Sequence, residues 1–206
     1  MNRYKLPISR AETSFIEKKS RFISNITPIS SEEQAIAFID EIRSKYKDAS
    51  HNVFAYRIKS NNVTRFNDDG EPSGTAGMPL LDVFVKQDIY DFCAVATRYY
   101  GGIMLGAGGL VRAYSRCGSI GLDASGIGIM QKLAKCLVAV PYSLFEVVRR
   151  EIIASGAKIS EEDFGADIVL SIILPYEDTQ TLKLRLSELS AGSVEPDIEE
   201  IVMGVF

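Results

Sequence analysis

The stretch RYYGGIMLGAGGLVRAYSR, residues 98–116, places five glycines within nine positions, at 101, 102, 106, 108 and 109. Glycine weakens regular elements, so such a cluster marks a sharp turn, a close approach of backbone or an exposed amide surface. Upstream, FCAVATRYY at 92–100 reads as a strand; downstream, Leu110, Val111, Tyr114 and Cys117 recur at helical spacing through about residue 122. A glycine-rich turn from strand to helix is also where free helix N–H groups receive a phosphate or carboxylate. Arg98 and Arg112 bracket the turn with two positive charges, and Tyr99 and Tyr100 offer rings for base stacking, although strand alternation sends one of the two to the core. Gly101, Gly102, Gly106, Gly108 and Gly109, with Arg98, Tyr99, Tyr100 and Arg112, therefore form a candidate anion or RNA site. Tight strand-to-helix packing is the competing reason for the same glycines. Gly106 and Gly108 have the spacing of a dinucleotide fingerprint, but Val111 stands where its third glycine belongs, and the cluster has no phosphate-loop Gly-Lys pair.

The elements around this turn suggest two domains, 1–133 and 134–206, of an α+β chain. In the first, an extended start leads to a strand at 20–29 and a helix at 30–46, where Ser30 and Glu33 make a capping-box pattern. A second strand at 52–59, a polar loop at 60–77 and a short helix near 78–86 precede the glycine region. From about 135 the rhythm becomes βαββαβ, with Gly156 closing the first helix and a hairpin about Gly165, the order of a ferredoxin-like split unit. Charge divides at the same place. Residues 1–133 hold 17 Lys/Arg against 14 Asp/Glu, and residues 134–206 hold 6 against 13. The acidic balance counts against indiscriminate nucleic-acid binding and against DNA, while leaving room for a local basic patch.

The chain has no run near the ~20 apolar residues of a membrane span and no apolar secretion signal at its start, so a cytoplasmic protein without a membrane partner is expected. Cys93, Cys117 and Cys136 are odd in number and widely spaced, which suits reduced thiols, and one histidine is too few for a usual structural zinc site. The polar loop contains DDGEPSGTAG. Asp68, Asp69 and Glu71, with Ser73 and Thr75, could hold a magnesium ion through oxygen ligands; turn formation and capping of the next helix explain the same residues without a metal. His51 is the sole imidazole and would carry any histidine acid/base chemistry, or simply hydrogen-bond at the start of its strand.

NDDGEPSGTAGMP at 67–79 followed by RYYGGIMLGAGGLVRAY at 98–114 resembles the paired signature of the IMPACT/YigZ family, and KKSRFI and HNVFAYRI resemble its upstream segments. Arg21 and His51, from these segments, join the acidic loop as candidates for one shared site. The resemblance implies a first domain similar to the second domain of small-subunit ribosomal protein five and a second similar to an elongation factor G domain. It also implies a part in translation control, because eukaryotic members compete for a ribosome-associated activator of an initiation-factor kinase. The expectation is a binding protein for the ribosome, RNA or a ribosome-associated protein rather than an enzyme, with no cofactor required. The alternative is an enzyme or binding protein for a small phosphorylated ligand at the glycine loop, with or without a metal.

Overall fold

The computed structural model describes residues 3–206. In chain order the first part runs β1 (Tyr4–Pro7), β2 (Ala11–Glu17), β3 (Ser20–Pro28), α1 (Glu32–Lys45), β4 (His51–Ile58), β5 (Val63–Asn67), α2 (Gly77–Lys86), β6 (Phe92–Tyr99) and α3 (Ala107–Ser125). Strands β2 to β6 pair antiparallel in the order β2-β3-β6-β4-β5. Central β6 reads as an unbroken apolar run because both its faces are covered. Phe92, Ala94 and Ala96 join Phe22, Leu80, Phe84, Leu110 and Tyr114 in the core beneath α2 and α3. Cys93 and Val95 turn to the opposite face, against Phe38, Ile39 and Ile42 of α1. By the period of two, Arg98 shares the face of Ala94 and Ala96.

The second part contains β7 (Ile127–Val140), α4 (Phe145–Ala154), β8 (Lys158–Phe164), β9 (Ile168–Pro175), α5 (Thr179–Leu189) and β10 (Pro196–Val205). These strands pair antiparallel in the order β10-β7-β9-β8, so the first and third strands of the βαββαβ run are central, as the ferredoxin-like arrangement requires. Val138, Val140, Val148, Ile152, Leu170, Ile172, Leu182 and Leu186 make an aliphatic core between sheet and helices. The chain separates into two compact units, Tyr4–Gly128 and, together with Arg3, Ile129–Phe206. The 133/134 division read from the sequence falls inside β7. Among the described residues no helix is long and apolar enough to cross a membrane.

Local details differ from the sequence reading. The extended start is organised into β1 and β2, and the polar loop contains the edge strand β5. The cap of α1 is Ser31, whose hydroxyl accepts from the Gln34 N–H, one residue beyond the expected Ser30. Gln34 Oε1 instead accepts from the Ser30 N–H at 2.7 Å. On α3, Val111 is exposed and Ala113 takes the inward place between Leu110 and Tyr114, because the packed face follows 110, 113, 114 and 117.

Candidate functional site

The residues between β5 and α2 are shaped by Asp68. Its carboxylate accepts from the N–H groups of Gly74, Ala76 and Gly77, satisfying the start of α2 from a distance in sequence. Thr75 does not cap the helix; its hydroxyl donates to the Pro72 carbonyl at 2.7 Å. Asp69 accepts from the Asn52 N–H at 2.6 Å and from Arg43 at 3.3 Å, tying the loop to β4 and α1. Ser73 is exposed. Thus Asp68, Asp69 and Glu71 each have separate partners and do not converge on one point. Among the described residues no group of three or more His, Cys, Asp and Glu side chains is placed to hold a metal ion. The residues present do not fit the magnesium site considered from the sequence.

Glu71 turns inward instead. Its Oε1 accepts from Arg98 Nη1 and from the Tyr114 hydroxyl, both at 2.7 Å. Arg98, 5% exposed, also donates from Nη2 to Ser20 Oγ at 3.3 Å, while its buried Nε has no partner. Burial first, then the Glu71 charge and hydrogen bond, hold the Tyr114 phenol above its ordinary range. Arg98 is therefore no free surface cation: the pleat of β6 carries it into the core, where Glu71 neutralises it. His51 lies opposite Arg98 in the β4–β6 register. Its Nδ1 is 2.7 Å from the Asp69 carbonyl oxygen, which can only accept, so Nδ1 carries the proton and Nε2 faces Glu71 Oε1 at 3.9 Å.

The glycines divide by task. A Cβ on Gly101 would stand 2.1 Å from the Lys19 carbonyl, so this glycine lets the 100–106 loop cross the β2–β3 turn. Gly106 is the N-cap of α3 with φ +72, where side chains are disfavoured. Backbone demands thus explain these two glycines without a ligand. After the crossing, Tyr100, Ile103 and Met104 stand 50%, 40% and 82% exposed. Behind them lies a cleft of about 430 Å³ lined by His51, Glu71, Arg98, Tyr100, Met104 and Leu110, with Gly106 at its edge. Neither tyrosine of the pair enters the core: Tyr99 is half-buried and bonds Asp48 at 2.8 Å, and Tyr100 follows the end of β6. Arg112 lines a different cleft, beside Gly109, and Arg21 is exposed opposite Tyr99 on β3. The structure thus brings His51, Glu71, Arg98, Tyr100 and Gly106 together, with the Asp69 backbone against His51, and leaves Arg21, Asp68, Arg112 and Thr75 elsewhere. Tyr114 and Ser20 were missed by the sequence reading. The signal for Tyr114 was available, since an inward hydroxyl on a packed helix face needs a buried partner.

Fold and cleft define a two-unit α+β protein with a glycine-crossed loop and a cleft on its first unit, and comparison gives its family. Residues 18–122 match the family model described as the Impact N-terminal domain, and residues 138–193 match a domain of unknown function, DUF1949. The chain belongs to the IMPACT family. It is 37% identical to the IMPACT family member YvyE of Bacillus subtilis (strain 168), over 92% of this chain and 87% of that protein. It is 32% identical to the IMPACT family member YigZ of Escherichia coli (strain K12), over 86% of this chain and 89% of that protein. A solved structure described as that of a hypothetical protein matches with a TM-score of 0.61 and 30% identity, over 97% of this chain and 98% of the other.

Proposed function

We propose that the protein is a regulator of translation that binds the ribosome through its first unit, with the 100–106 loop and the cleft behind it as the contact. Family membership supports the setting, and one observation carries the site. Tyr100 and Met104 are exposed at a cleft whose ion pair, Arg98–Glu71, is already matched internally, and Ile103, next to Met104 in the chain, is exposed as well. Aromatic residues and methionine are enriched in interface cores, while unpaired charge is depleted there. The arrangement suits capture of an apolar group of a ribosomal component better than a bare phosphate, which would meet no unpaired cation there. Co-sedimentation with purified bacterial ribosomes tests this. Met104→Asp should reduce affinity at least tenfold, about 1.4 kcal/mol, with an unchanged circular dichroism spectrum. Equal sedimentation of the variant and the unmutated protein would overturn the reading.

The cleft volume favours a second reading. About 430 Å³ falls within the roughly 300–1,000 Å³ of small-molecule sites. On this reading a small phosphorylated ligand enters beside Gly106, with His51 Nε2 as a proton acceptor. Such a ligand should bind and saturate in the absence of ribosomes, and Met104→Asp should alter its affinity without any ribosome being present.

A further inference from the structure

A second, smaller cleft of about 180 Å³ lies on the other side of Leu105, lined also by Phe15, Glu17, Lys18, Arg112 and Arg116. Lys18, Arg112 and Arg116 are exposed, and among the described residues none of them forms an ion pair. Glu17 is the acidic residue in the lining, so three positive charges meet one negative. Arg112 and Arg116 share a face of α3 at i,i+4 spacing. Arg116 rests 4.4 Å above the Phe15 ring, and that ring stacks on fully buried Phe22, so the guanidinium is held in place before any ligand arrives. Arg112 folds back over the first turn of α3, its Nη1 3.6 Å from where a Gly108 Cβ would stand. Cations are disfavoured at a helix N-terminus, and α3 has no acidic residue in its first turn to offset them.

The β2–β3 turn adds to the excess. Glu17 pairs with Ser20, leaving Lys18 and Lys19 as a two-residue loop with φ of 43° and 65°. Asn and Gly are favoured in such turns, because other L-residues resist positive φ. Two lysines thus stand here against backbone preference. Together these features concentrate uncompensated positive charge around a cleft smaller than the roughly 300 Å³ that a whole small ligand takes. It suits one anionic group of a larger molecule. Paired guanidinium forks match phosphate in particular.

We propose that the Lys18–Arg112–Arg116 cleft binds a backbone phosphate of single-stranded RNA. The choice of RNA as the source of the phosphate rests on the ribosome-binding reading; the charge excess does not. The test uses the full chain and a labelled single-stranded RNA oligonucleotide, without ribosomes, across a sodium chloride series. The Arg112→Gln, Arg116→Gln double variant should bind about tenfold more weakly at low salt. Its plot of log affinity against log salt should flatten by about 0.7, the contribution of one single-strand phosphate. Arg65→Gln, which removes an exposed cation from β5, should match the unmutated protein. Because Arg116 packs on Phe15, Lys18→Gln serves as a second variant that leaves this packing intact, and it too should weaken RNA binding. Absence of RNA binding by the unmutated protein, or unchanged affinity and slope in both variants, would overturn the proposal. Displacement of RNA by inorganic pyrophosphate at equal phosphate concentration would also overturn it, by assigning the cleft to small phosphate compounds. If RNA binding fails while Met104→Asp still weakens ribosome binding, only the phosphate cleft falls; the reverse pattern removes the loop contact alone.

Discussion

The two units bury different chemistry. Within Tyr4–Gly128 the core encloses Arg98 and Glu71 as an ion pair with the Tyr114 hydroxyl, and Asp91 is buried near its surface. Within Ile129–Phe206 the buried polar residues among those described are Gln131 and Ser190, around an aliphatic core. Packing alone accounts for the second. It does not account for the first, because well-packed apolar residues replace a buried ion pair at little or no cost in stability. The pair lines the cleft behind the exposed loop, so the buried charge that the fold does not need lies at the surface where the loop is presented.

Stability measurements can break this comparison. The largest effect is expected from Arg98→Leu, which leaves Glu71 buried without its cation and should cost about 3–5 kcal/mol in urea denaturation. Combining it with Glu71→Leu should recover most of that loss while ribosome binding stays impaired. A double variant as unstable as the single one would show that the pair serves the fold. In the second unit, Leu170→Ala removes a fully buried side chain and should cost about 2–5 kcal/mol without affecting ribosome binding. Limited proteolysis should release a stable C-terminal fragment of about 80 residues, cut near the Gly128/Ile129 boundary rather than inside β7, if the units fold independently. Cuts scattered through both units would contradict this.

Alkaline pH gives a smaller contrast. Burial pushes the Cys117 thiol from 9.0 to about 12, and it raises the Tyr114 phenol above 10.0 with help from Glu71. In both groups the folded state holds the proton more tightly than the unfolded chain. Their contribution is fully present below the unfolded values and is lost as pH climbs toward the folded ones. Thermal midpoints should therefore fall as pH rises from about 9 to 12, and Cys117→Ala should make that fall shallower. An unchanged alkaline slope in the variant would show that the thiol does not contribute. The smallest effect is expected at the exposed Lys135–Glu200 pair, where Lys135→Ala should change stability by less than about 1 kcal/mol.

Much of the fold was legible because its signals are periodic. The βαββαβ rhythm and the strand, glycine turn and helix at 92–122 each repeat a hydrophobic spacing over many residues. Strand β5, VTRFN, was not legible, because an edge strand with exposed residues shows little apolar alternation. The candidate site was legible as a set of residues but not as a geometry. Arg98 looks like a free charge when counted, yet its parity with Phe92, Ala94 and Ala96 along β6 sends it inward. Its partner, Glu71, lies 27 positions away in a loop with no spacing rule to connect them. The same blindness joined Arg98 and Arg112 as one site, although one lies beneath α3 in the core and the other stands on its outer face beside Arg116.

Hydrogen exchange of the full chain, free and bound to purified ribosomes, reports on the loop contact residue by residue. Residues 100–106 lie between β6 and α3, outside regular structure; the Tyr100 and Gly101 N–H groups donate to Ser50 and Ser20, so it is the amides of 102–106 that should exchange quickly in the free protein. Bound ribosomes should slow exchange at Tyr100–Gly106 and in the first turn of α3, while the exposed strand β8, Lys158–Phe164, keeps its free rate. Slowing confined to the second unit, with residues 100–106 unchanged, would contradict it.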